Sequence, residues 1–196
     1  SLRSGNAAGI HEAWRQAGLF SHAFPDLPID TDESGRGLKA IDVQVSVEKL
    51  FPNPSLFGAF FLPRFFTVLA EATGDKGRVD NVALLERMRE CLEPAAASMH
   101  LSNQTLHLMH QGLFTLTKLR RPPSRGRQVL KLARQGYFPV AWDLHGLAAT
   151  LGYLPRDVHR AWASAVSKVQ TKDRDARSED SGKRRRPRRR RPRRRR

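Results

Sequence analysis

Apolar residues recur at helical spacing along most of this chain, most regularly over 80–100 (DNVALLERMRECLEPAAASMH). There Val82, Leu85, Met88, Leu92 and Ala96 form one stripe, with Leu84 and Cys91 beside it, the mark of an amphipathic helix. Asp80 or Asn81 can cap its start, and Pro94 predicts a kink. A short break at Leu101 and Ser102 leads into 104–119, where Leu106, Met109, Leu113 and Leu116 share a side and Leu108 and Phe114 lie near it. Ser102 or Asn103 can cap this second helix. So short a link makes the two helices antiparallel, so 79–121 reads as a helical hairpin. Its apolar faces are broader than one partner helix covers, which predicts pairing with a second copy into a four-helix bundle.

The rest of the pattern is less regular. Ile10, Trp14 and Ala17 predict a short helix over 8–20, and the prolines, glycines and acids of 21–39 predict a loop. The stretch 41–47 alternates Ile, Val, Val, Val with Asp, Gln and Ser, a strand pattern with no second strand to pair with; an extended segment packed on helices is the other reading. Residues 46–51 can form a helical turn. Five phenylalanines crowd the stretch 57–66, and clustered Phe most often fills an interior. Pro63 should break or start a helix, which favours a helix over 64–73. After Pro122 and Pro123, Ser124 can cap a helix over 125–137 with Val129, Leu130 and Ala133 as its apolar face. Phe138 and Pro139 read as a turn, 142–151 and 156–169 as two more helices split by Gly152 and Pro155, and 171–182 as a linker of mixed charge. The expected fold class is all-α. The expected divisions are an extension over 1–39, a helical assembly domain over 40–170, the linker, and a tail over 183–196.

Charge changes this picture. Of the net +16 on 196 residues, the tail KRRRPRRRRPRRRR carries +12, leaving +4 on 1–182. A run of eleven Arg, one Lys and two Pro has no apolar surface to bury and repels itself, so it is expected to be disordered when free. Guanidinium groups bind phosphate in a bidentate way and stay charged at any working pH. Lys183, Arg184, Arg185, Arg186, Arg188, Arg189, Arg190, Arg191, Arg193, Arg194, Arg195 and Arg196 are therefore the candidate nucleic-acid-binding residues. A nuclear-import signal needs only a short basic run, so import receptors are a second class of partner for the same segment. A membrane anchor ranks last, because nothing beside the tail is strongly apolar. A second basic group, Lys118, Arg120, Arg121, Arg125, Arg127, Lys131 and Arg134, reads equally as a nucleic-acid surface or as an ordinary wet face near a helix C-terminus.

No catalytic constellation emerges, and no enzyme, cofactor or small-molecule substrate is expected. There is no Gly-rich phosphate loop, HExxH or GxSxG. His107 and His110 share a helix face without a carboxylate or thiolate beside them in sequence, so two polar surface positions outweigh a metal site. Asp30, Asp32 and Glu33 lack the full calcium-loop pattern and read as a solvated acidic loop. Cys91, the single cysteine, is either a small buried hydrophobe or a neighbour of a symmetry axis. Residues 1–20 lack the apolar run of a secretory leader, and the longest apolar run, 56–62, is too short to span a bilayer, so a soluble chain is expected.

Taken in order, the parts resemble the core (capsid) protein of hepadnaviruses and their fish relatives, the nackednaviruses. AIDVQVSVEKL (40–50) is similar to that family's opening. FFLPRFF (60–66) is similar to its Phe-Leu-Pro run before paired phenylalanines. VALLERMRECLE (82–93) resembles the first hairpin helix, and GRQVLKLARQGYF (126–138) resembles the helix after the hairpin. The likeness covers 40–139 and the tail. Residues 1–39 have no counterpart, helices over 142–169 replace an extended proline-rich stretch, and the tail lacks interleaved Ser-Pro repeats. The resemblance implies a hairpin homodimer, with Val82, Leu85, Met88, Cys91, Leu92, Leu106, Met109, Leu113 and Leu116 at its interface. It implies that Val129, Leu130, Ala133, Tyr137, Phe138 and Pro139 join dimers into an icosahedral shell around single-stranded RNA and then DNA. The implied location is the virion capsid, with the host cytoplasm and nucleus as stations. The competing reading is a monomeric RNA-binding or nucleolar protein whose helical body binds other proteins.

Overall fold

The computed structural model describes residues 5–19, 22, 31–45, 51–74 and 77–183, with backbone alone at 31–34, 45, 170 and 172–183. Among these residues there are eight helices and no strand. They are α1 (Ala7–Gln16), α2 (Thr31–Val45), α3 (Asn53–Glu71), α4 (Asn81–Ser98), α5 (Asn103–Leu119), α6 (Gly126–Ala133), α7 (Phe138–Thr150) and α8 (Arg156–Lys183). An isolated antiparallel bridge, Thr73 to Val79, closes the loop between α3 and α4.

The phenylalanine-rich stretch is the centre of the molecule. Helix α3 buries Leu56, Ala59, Phe60, Phe61, Leu62, Phe65, Val68 and Leu69, and packs against α2, α4, α5 and α7. It corrects the expected break at Pro63, because the helix runs through it unbroken. Proline lacks the N–H that would bond the carbonyl four residues back, that of Ala59. Helix α2 approaches this same Ala59 carbonyl through Gly37, so closely that any Cβ at position 37 would overlap it. Tertiary packing thus tolerates the missing helical bond.

Helix α2 overturns two expectations, the strand over 41–47 and the loop over 21–39, for the residues described. Leu38 and Ile41 are buried one turn apart with Gly37 and Ala40, whereas Val43 is 62% exposed. The alternation is one of sequence only: on the helix Ile41 faces the core while Val43, two residues on, faces solvent. Asp42 accepts hydrogen bonds from the backbone N–H groups of Ala7 and Ala8 at 2.8 and 2.9 Å, capping α1 from a distance in sequence. The turn expected over 46–51 lies outside the described residues except for Phe51, which is buried.

The caps of the next two helices form where the sequence places them. Asp80 accepts from Val82 and Ala83 N–H, and Ser102 from Thr105 N–H. Helix α4 continues through Pro94 to Ser98. Phe138 and Pro139 are the first residues of α7 rather than a turn; proline at a helix start loses no bond, since that N–H has no partner anyway. Helix α8 is pinned by Trp162, fully buried, whose Nε1 donates to the Arg121 carbonyl at 2.8 Å. It runs on through 171–182, the stretch read as a linker. No helix among the described residues is long and apolar enough to cross a membrane.

Candidate functional site

The hairpin face is split between the chain's own core and its surface. Met88, Leu92, Met109, Leu113 and Leu116 are buried within the single chain. Helix α3 lies across α4 and α5, where Phe61, Arg64, Phe65 and Val68 meet Met88, Cys91, Leu92 and Leu113 around a cavity of about 10 Å³. Much of the apolar breadth that sequence assigns to a second copy is therefore covered by α3. Val82 and Leu85 are not covered; they are 66% and 38% exposed. Cys91 is a half-buried free thiol, and Leu106 is half-buried. Arg89 and Glu93 follow Leu85 at helical spacing on α4, and both act electrostatically on His110 of α5. Burial first, then Arg89, holds His110 below its usual range, with Glu93 opposing. Together these groups give one side of the hairpin an apolar end at Val82 and Leu85 and a charged middle.

The second proposed contact set is also split. Val129 and Phe138 are buried, Leu130, Ala133 and Tyr137 half-buried, and Pro139 exposed. The basic group does not form one surface. Arg120 and Arg121 both donate to the Gly77 carbonyl, at 2.8 and 3.4 Å, and so tie the end of α5 to the loop before α4. Lys118 lies 5.8 Å from the Phe114 ring centroid. Arg125, Arg127, Lys131 and Arg134 are exposed on and around α6. In the tail, 184–196 lies outside the described residues, and Lys183 is the last residue of α8. Asp30 also lies outside them, and Asp32 and Glu33 fall in the first turn of α2. Among the described residues no group of three His, Cys, Asp or Glu is placed to hold a metal ion.

One constellation is invisible in the sequence. His145, fully buried on α7, has Nε2 3.2 Å from the Leu119 carbonyl and Nδ1 2.8 Å from Nδ1 of His159 on α8. A carbonyl only accepts, so Nε2 of His145 carries the proton. Its Nδ1 then accepts from His159 Nδ1–H, and this pairing requires a neutral His145. Burial, and secondly the His159 ring, push its pKa down to about 4, against the pull of the Leu119 bond. Trp142 stacks on both imidazoles, at centroid distances of 5.6 and 4.9 Å, and on Phe138 at 6.1 Å. His145 and His159 stand fourteen residues apart on two helices, and no linear motif joins them; only the turn at Gly152, with φ of 82°, brings them together. Against this fold and these surfaces, no family model, curated protein or solved structure matches the chain.

Proposed function

We propose that this chain is a capsid protein that pairs through its hairpin, assembles into a closed shell and packages nucleic acid through its arginine-rich end. The observation that carries this reading is the separation of charge: +12 on fourteen residues, joined to an all-helical body with only +4. A nearly neutral body can associate through weak apolar contacts without self-repulsion, and the tail then neutralises phosphate. The order of parts resembling hepadnavirus and nackednavirus core proteins supports the same conclusion. Since α3 covers the inner stripe, the pairing contact falls on Val82 and Leu85, with Cys91 and Leu106 at its margin, while Met88, Leu92, Met109, Leu113 and Leu116 hold the hairpin to its own core. That same coverage favours one other reading, a monomeric RNA-binding protein, because it leaves the single chain little apolar surface to hide.

The tail's role has a direct test. If its twelve charges engage single-stranded nucleic acid, log affinity against log salt falls with a slope of about −8 per chain, from roughly −0.7 per phosphate. Filter binding of a mixed-sequence RNA across a salt series measures it, with little sequence preference expected. A slope near zero contradicts this role.

A further inference from the structure

Beside the imidazole pair, between the end of α2 and helices α7 and α8, opens a cleft of about 530 Å³, large enough for a nucleotide. Arg156, His159 and Arg160 stand along its α8 wall, Gln44 and Thr150 contribute polar groups, and among the described residues no carboxylate lines it. Arg156 and Arg160 are four residues apart, so both guanidinium groups project from one helix face. Among the described residues neither has a carboxylate partner. We propose that this cleft binds a phosphate group, held between Arg156 and Arg160. Two like charges on one wall repel each other, and an anion that both forks can grip relieves this.

The surrounding groups narrow the ligand. His159 donates through Nδ1 to His145, which leaves its Cε1–Nε2 edge over Gly146, 3.6 and 4.0 Å from where a Cβ would stand. The Trp142 ring stacks on Phe138, His145 and His159, so it is not a platform for a base. Thr150 Oγ1 already donates to the Gly146 carbonyl at 3.0 Å, and so can only accept from a ligand, as from a sugar hydroxyl. Recognition therefore rests on phosphate with a sugar contact, and base identity matters little. The phosphate can be free, on a mononucleotide, or in a nucleic-acid strand.

Hydrogen–deuterium exchange on the full chain separates these sources, because it localises protection even in large assemblies and is blind to which other sites bind. The probes are inorganic phosphate, adenosine 5′-monophosphate and a six-nucleotide single-stranded RNA. Saturable protection is expected in peptides spanning 142–162, with at least about tenfold weaker half-saturation in the Arg156→Gln/Arg160→Gln variant. These residues are exposed, so the fold is kept, and tail binding of RNA should be unchanged in the variant. Equal protection by phosphate alone identifies a free-phosphate site, and protection by RNA alone a strand site. Protection by none of the three probes, or half-saturation unchanged by the double substitution, overturns the proposal.

Discussion

Single atoms decide how closely these helices approach. At Gly37 a Cβ would overlap the Ala59 backbone carbonyl, which cannot rotate aside as a side chain could. Alanine is the better helix former by about 1 kcal/mol, but overpacking against backbone outweighs it, so Gly37→Ala should cost a net of about 1–3 kcal/mol in urea denaturation. Gly126, with open space around its Cβ position, is the control: alanine there should be neutral or stabilising. His145 makes a second prediction at this scale. Its native pKa, about 4, lies below its ordinary 6.5, so between these values the unfolded chain binds the extra proton. Its contribution, at most about 3 kcal/mol, is complete above pH 6.5 and lost as pH falls towards 4. Urea midpoints measured from pH 7.5 to 4.5 should fall, and fall less steeply in His145→Asn; identical profiles would contradict the pairing. Neither residue is legible in the sequence. Gly37 reads as a loop glycine, and His145 has no neighbour in the chain that announces its partner.

At the scale of elements, the hairpin was readable because eighteen- and seventeen-residue helices repeat their period often enough to be unmistakable, and Asp80 and Ser102 mark their starts. Helix α2 was not readable. Two glycines and three β-branched residues over Gly35–Val45 argue locally against a helix, and packing on α3 overrides them. Pro63 misled for the same reason: the lost hydrogen bond is local, while the burial of eleven α3 residues is not. The hairpin stripe was legible as apolar, but the sequence could not say which helix would cover it. What remains uncovered, Val82 and Leu85, is the patch through which we propose that two copies pair. Val82→Glu/Leu85→Glu should leave the circular dichroism spectrum unchanged, since both positions are exposed. It should raise the dimer dissociation constant at least about a hundredfold, because each buried aliphatic side chain contributes about 1.5–3 kcal/mol. Sedimentation equilibrium reads this directly, and an unchanged constant moves the interface elsewhere.

At the scale of the whole molecule, the tail is written plainly in composition, and the all-helical class in periodicity. The cleft between α7 and α8 required the fold, because Gln44, Trp142 and Arg160 come from three separated helices. In the proposed function, assembly rests on many weak contacts between nearly neutral bodies, with the tail supplying charge to the interior. Electron microscopy of the expressed protein with and without 183–196 tests this division most directly. Closed, regular particles are predicted in both cases, filled with nucleic acid when the tail is present and hollow when it is removed. A chain that stays monomeric without its tail at every concentration, and forms no particle with it, would contradict the account.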